Sequence, residues 1–116
     1  MSLKNILIVV SEIERSKKFY SELFGLQVLR DFDQNVIMTE GLVLQEKQTW
    51  EQLIKENTEI GNASELYFEE QDFDVFLEKA EGLKVTFIGK IRENSWGKRV
   101  VMIKDPDGHI IEVAEG

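Results

Sequence analysis

Two glutamates, Glu65 and Glu112, and two neutral amides, Asn5 and Gln45, take matching places in a pattern that the chain runs through twice. Residues 5–12, Asn-Ile-Leu-Ile-Val-Val-Ser-Glu, form a short apolar run leading into an acidic helix start. Residues 65–72, Glu-Leu-Tyr-Phe-Glu-Glu-Gln-Asp, do the same. Later in each half, Gly41-Leu42-Val43-Leu44-Gln45 lines up with Gly108-His109-Ile110-Ile111-Glu112. A chain of two similar halves often builds its working site where the halves meet, so these four residues are expected to converge. Two carboxylates sharing a cleft repel each other, which together with burial raises at least one pKa. Such a pair can act as a general base beside a carbonyl or receive an amine or guanidinium. The structural alternative is an ion pair with a nearby cation such as Arg99.

The aromatic and imidazole side chains offer further chemistry. Trp96, in the polar stretch Arg92-Glu93-Asn94-Ser95, suits stacking or cation–π contact with a ligand; its structural alternative is a ring laid over a sheet edge. Trp50 reads as packing at the start of a short helix. The single histidine, His109, follows Asp105-Pro106-Asp107-Gly108 and lies three residues from Glu112, so strand alternation turns it to the other face. It reads as a solvent-facing turn residue, with general acid–base work as the alternative. Ser64 lacks an evident histidine base for a nucleophilic triad. No phosphate loop and no GxGxxG pattern is present.

The elements that must position these groups follow from periodicity. Lys4–Val10 reads as a strand buried on both faces. Ser11, with Glu14 three residues on, has the form of a capping box. A helix follows, with Ile13, Tyr20, Leu23 and Phe24 near one face, Phe19 beside them, and a stop at Gly25. Gln27–Phe32, Asn35–Thr39 and Leu42–Lys47 are three further strands joined by tight connections. A short helix is predicted over Thr49–Lys55, then a linker over Asn57–Ser64. The second half repeats the order: strand Leu66–Phe68, then a helix carrying Phe73, Phe76, Leu77 and Ala80 at helical spacing. Strands Val85–Ile91, Arg99–Lys104 and Ile110–Ala114 complete it, the last two joined by a strong Asp-Pro-Asp-Gly turn. The fold class is α+β, one domain over 1–116 with βαβββ modules at about 1–56 and 62–116.

Composition narrows the function classes. At 116 residues the chain is long enough to bury a core, and with no cysteine it holds neither disulfides nor thiolate sites. A net charge of −8 argues against nucleic acid and mildly favours a cationic ligand, although scattered acidic charge also serves solubility. No apolar run is long enough to span a bilayer, and no leader-like segment is seen, so a cytoplasmic protein is expected and a membrane partner is not.

The motifs, taken in order, resemble the vicinal oxygen chelate superfamily of glyoxalases, bleomycin-resistance proteins and extradiol dioxygenases. The likeness is carried by Val9 to Tyr20 with Leu23-Phe24-Gly25-Leu26, by Trp96-Gly97-Lys98-Arg99, and by Asp105 to Glu112. The resemblance implies two modules forming a curved mixed sheet around a cleft, a homodimer, and in many members a divalent metal. Metal ligands in that family come from the first and last strands of each module, often two histidines and two glutamates. The corresponding positions here are Asn5, Gln45, Glu65 and Glu112, of which only Glu112 keeps the usual residue. An all-oxygen set with two amides suits manganese, magnesium or calcium better than zinc or ferrous iron. The expectation is therefore a metal-independent binder of a cationic or aromatic small molecule, with Asn5, Gln45, Glu65, Trp96 and Glu112 as ligand contacts and no cofactor. One alternative is a metal-dependent lyase, isomerase or dioxygenase holding an ion such as manganese at Glu65 and Glu112. Another is a non-catalytic regulatory module on the same fold.

Overall fold

Four successive buried residues, Leu42 to Gln45, mark the strand that organises the first half. A computed structural model describes residues 1–116, which form two compact units, Met1–Ile60 and Gly61–Gly116. In the first unit the order is β1 (Ile6–Val10), α1 (Ile13–Phe24), β2 (Val28–Asp31), β3 (Asn35–Met38), β4 (Leu42–Glu46) and α2 (Lys47–Ile54). The strands hydrogen-bond in the order β1-β4-β3-β2, with β1 parallel to β4 and the other pairs antiparallel. In the second unit β5 (Glu65–Glu70), α3 (Phe73–Gly82), β6 (Thr86–Glu93), β7 (Arg99–Lys104) and β8 (Ile110–Glu115) give the matching order β5-β8-β7-β6. This is an α+β fold of two βαβββ modules, its strands divided between two four-stranded mixed sheets. No helix is long and apolar enough to cross a membrane.

In the first unit, Ile8, Val10, Val36, Met38, Leu42 and Leu44 are buried on one face of the sheet. Strand β1 is therefore buried on one face rather than both, since Leu7 and Val9 on its other side are only half-buried. Helix α1 contacts β3 and β4 and buries Ile13, Ser16, Tyr20 and Leu23 at helical spacing. Phe19 and Phe24 are half-buried and pack with Tyr20 at ring separations of 5.1–5.9 Å. The helix begins one residue later than a Ser11 cap requires. Glu12 takes the cap position, and its carboxylate pairs with Arg15 at 3.0 Å instead of capping the helix. Its end is closed by the N–H groups of Gly25 and Leu26, which donate to the carbonyls of Ser21 and Tyr20. Lys17 ties the helix to β2, with its Nζ 2.9 Å from Asp31 and 3.0 Å from Glu14.

Helix α2 starts at Lys47, two residues before the sequence expectation, because Glu46 caps it. The Glu46 carboxylate accepts from the N–H groups of Gln48 and Thr49 and from the Thr49 hydroxyl at 2.7–2.9 Å. Burial pushes this carboxyl up, and the three donors outweigh it and hold it below its ordinary value. A 3-10 turn at Thr39–Gly41 delivers the chain into β4. Gly41 is required there: its φ is +77°, and a Cβ would lie 3.3 Å from the Lys4 carbonyl.

Candidate functional site

The alternation of β5 separates two faces of the second sheet. One face carries buried Val101, Ile103, Ile111 and Val113 together with Arg99. The Arg99 guanidinium lies 4.9 Å from the Phe73 ring centre, so this is the face against which α3 packs. Arg99 also bonds Asp74 at 2.8 Å and Glu115 at 3.0 Å, joining the start of α3 to the ends of β7 and β8. The Arg99 side chain holds Asp74 and Glu115 below the ordinary carboxylate range, and they hold Arg99 above its own. Carboxylates lowered in the folded state add stability above their unfolded pKa, and that stability is lost as pH falls through the folded values. The Arg99→Gln variant should therefore melt lower at pH 7 and show a shallower decline in Tm below about pH 4. Parallel declines in the two proteins would disprove this role.

The other face holds the sequence-predicted carboxylates. Glu65 pairs in register with Ile110, and Tyr67 with Glu112, so Glu65 and Glu112 share this face as diagonal neighbours on adjacent strands. The next strands add Lys104, Met102 and Val100 from β7, then Thr86, Ile88 and Arg92 from β6. Glu112 is paired with Arg92, whose Nη2 donates to Oε1 at 3.0 Å. Arg99, the partner suggested by the sequence, is committed on the opposite face. Arg92 reaches Glu112 past a register shift between Ile88 and Arg92, where Gly89 has φ +70°. This is a bulge that re-aims the strand. Glu65 is exposed and makes no ion pair. Ile88, Met102 and Ile110, together with Glu65, Ser64, Ala63 and Asn62, line an open depression of about 400 Å³. Tyr67, 53% exposed, is on the same face, opposite Glu112 in register and two residues from Glu65 along β5. Neither Tyr67 nor Arg92 was expected at the site from the sequence. The alternation Glu65-Tyr67-Glu69 was a signal for the first; only the Gly89 bulge reveals the second.

The counterparts in the first unit are arranged differently. Asn5 is exposed and level with Gly41, since Ile6 pairs with Leu42; Gln45 pairs with Val9. The two are thus four residues apart in register, roughly 13 Å along a strand. In the second unit the same offset, from Glu65 to Glu112, is only two residues. The register position matching Glu112 is therefore Val43, and the motif alignment that placed Gln45 there runs two residues further along the strand. Gln45 is 7% exposed; its Oε1 accepts from Asn35 at 2.8 Å and its Nε2 donates to the Glu46 carbonyl at 3.3 Å. Its amide is engaged by Asn35 of the neighbouring strand β3 and by its own strand.

Trp96 is 85% exposed in the turn between β6 and β7, so its ring does not cover a sheet edge. Asn94 Oδ1 accepts from the N–H groups of Trp96 and Lys98 at 3.0 Å and fixes that turn. Met102 of the depression is three residues from the start of β7, roughly 10 Å, and Trp96 lies beyond that end. Trp96 is thus not gathered with Glu65 and Glu112. His109 donates its backbone N–H to Asp105 and precedes β8.

A divalent metal, which the fold class raises, finds a poor donor set. The Gln45 oxygen already accepts from Asn35, Val43 offers no donor, and Glu112 already faces the Arg92 guanidinium. Within neither unit do three or more histidine, aspartate or glutamate side chains gather closely enough to hold an ion.

Two βαβββ modules with this strand order, the Asp-Pro-Asp-Gly turn and a glutamate on the final strand define the vicinal oxygen chelate class. Residues 3–116 match the model of the glyoxalase-like domain, and the chain belongs to that family. It is similar to a protein of unknown function from Agrobacterium tumefaciens str. C58 (32% identity, TM-score 0.87, covering 100% of this chain and 94% of the other). It is also similar to a lactoylglutathione lyase from Agrobacterium tumefaciens (22% identity, TM-score 0.76, 99% and 93% covered). A third match is the fosfomycin resistance protein FosX from Listeria monocytogenes (16% identity, TM-score 0.80, 100% and 93% covered). At these lower identities the last two likenesses show the fold alone.

Proposed function

We propose that this protein is a metal-independent small-molecule binder on the glyoxalase/bleomycin-resistance fold, acting as a homodimer on ligands with an apolar or aromatic body and a cationic group. The observation that carries this reading is the depression lined by Ile88, Met102 and Ile110 together with the unpaired Glu65. An apolar floor with one convergent charged group is the usual make-up of a ligand site. Tyr67 supplies an aromatic face beside it, the part expected of Trp96 from the sequence. The chain's charge of −8 favours approach of a cation. Exposed Val28 and Leu29 on edge strand β2, with exposed Phe32 just after it, support pairing of two chains, which sedimentation velocity would register as a doubled mass.

Calorimetric titration with arylalkylamines tests the site directly. Binding is expected to survive chelator treatment and to weaken roughly fivefold in Glu65→Gln, about 1 kcal/mol for an exposed charge. Unchanged affinity in that variant would remove Glu65 from the site. Binding that disappears with chelator and returns with one divalent ion would overturn the metal-independent reading.

A further inference from the structure

The face around the depression is close to electrically balanced, unlike the chain as a whole. Glu65, Glu69 and Glu112 project from it, and Arg92 and Lys104 answer them. A simple cation gains little net field from such a surface. Arg92 is also placed for more than neutralising Glu112. One contact, from Nη2, holds it to the strand that carries Glu112, and the side chain remains 59% exposed while Glu112 is 19% exposed. A guanidinium has five N–H donors in a planar fork. Anchored through one nitrogen, it keeps donors directed outward and has already lost much of its side-chain freedom. The bulge at Gly89 brings it there from an edge strand.

We infer that Arg92 is a specificity-determining residue that receives a carboxylate, so that the site selects zwitterionic ligands over plain amines. This rests on the binding reading above and names its ligand class. The ammonium group pairs with Glu65, the apolar body covers Ile88, Met102 and Ile110, and the carboxylate takes the free donors of Arg92. Glu65 and Glu112 are diagonal neighbours with backbones roughly 7–8 Å apart, and Arg92 approaches Glu112 from the side away from Glu65, so the two charged groups of the ligand must be well separated. An extended amino acid fits that spacing; an α-amino acid, with adjacent charges, does not.

Three probes with the same phenyl body separate the possibilities: an amine, a carboxylate, and an amino acid with its two charges at opposite ends of the body. Each is titrated calorimetrically into the wild type, Glu65→Gln and Arg92→Gln. The zwitterion is expected to bind most tightly, and Arg92→Gln to weaken it roughly five- to tenfold without weakening the amine. A zwitterion no tighter than the amine, or equal weakening of both by Arg92→Gln, would overturn the inference and leave the binding function standing. Carboxylate binding that Arg92→Gln abolishes, with none for the amine, would uphold Arg92 and overturn the amine reading. Absence of binding by all three would overturn both. Arg92 is exposed, so unfolding of the variant is not expected, and an unchanged Tm confirms it.

Discussion

Leu44→Ala is expected to lower the unfolding free energy by about 2–5 kcal/mol. Leu44 is fully buried in β4, where it pairs in register with Ile8 of β1 and Val36 of β3, both buried. With partners fixed on either side by backbone ladders, the surrounding strands cannot collapse onto the missing methyl groups. The loss therefore combines transfer free energy with a residual cavity. At roughly 4 °C per kcal/mol for a chain of this size, Tm should fall by about 8–20 °C. Leu44→Met, which nearly conserves volume, should cost less than about 1.5 kcal/mol. Urea unfolding followed by circular dichroism checks both values. A loss below about 1 kcal/mol for alanine would show that this part of the core relaxes.

Asp105→Ala is expected to cost about 2 kcal/mol, the largest effect among the polar positions. Asp105 is 5% exposed, and its Oδ1 accepts from the backbone N–H groups of Asp107 and His109, each at 2.9 Å. Its own backbone closes the turn through Gly108 at 3.0 Å and His109 at 2.9 Å. Alanine leaves two part-buried donors without an acceptor, and an unmet donor costs more than a hydrogen bond contributes. An asparagine side chain would retain an oxygen in the same place, so Asp105→Asn should cost about half as much. The turn sets the register of β8 against β7, and a slip of one residue would send Glu112 to the opposite face. Ligand affinity should thus fall together with stability in the alanine variant. Equal losses for the two variants would show that charge, rather than acceptor geometry, is what Asp105 contributes.

These positions and the proposed site fit one scheme. Leu44 secures the first unit, and the Asp105 turn aligns the strands of the second. On that second sheet, Arg99 fastens one face to α3, leaving the other face to carry Glu65, Tyr67, Arg92 and Glu112. The site is thus set on strands rather than on a loop, which favours fixed geometry.

The doubled βαβββ order was legible because its signals are local. Two-residue alternation, helical spacing of Phe73, Phe76 and Ala80, and the Asp-Pro-Asp-Gly turn each depend on residues a few places apart. Strand register lies outside that reach. Motif spacing alone aligned Gln45 with Glu112, while hydrogen bonding across the sheet puts Val43 in that position. Pairing depends on partners more than thirty residues away, and a shift of two residues preserves the inward and outward pattern, so nothing in the local sequence resists it. The commitment of Gln45 to Asn35 and of Arg92 to Glu112 likewise joins separate strands.

By itself, then, the sequence determined the family, the order of elements and which residue types were available for chemistry, because periodicity and turn preference are properties of neighbours along the chain. Only the tertiary structure decided which of those residues remain free to act. A carboxylate beside a guanidinium and an amide buried against another amide have the same local sequence whether paired or open, and pairing is settled by atoms that folding brings within 3.0 Å.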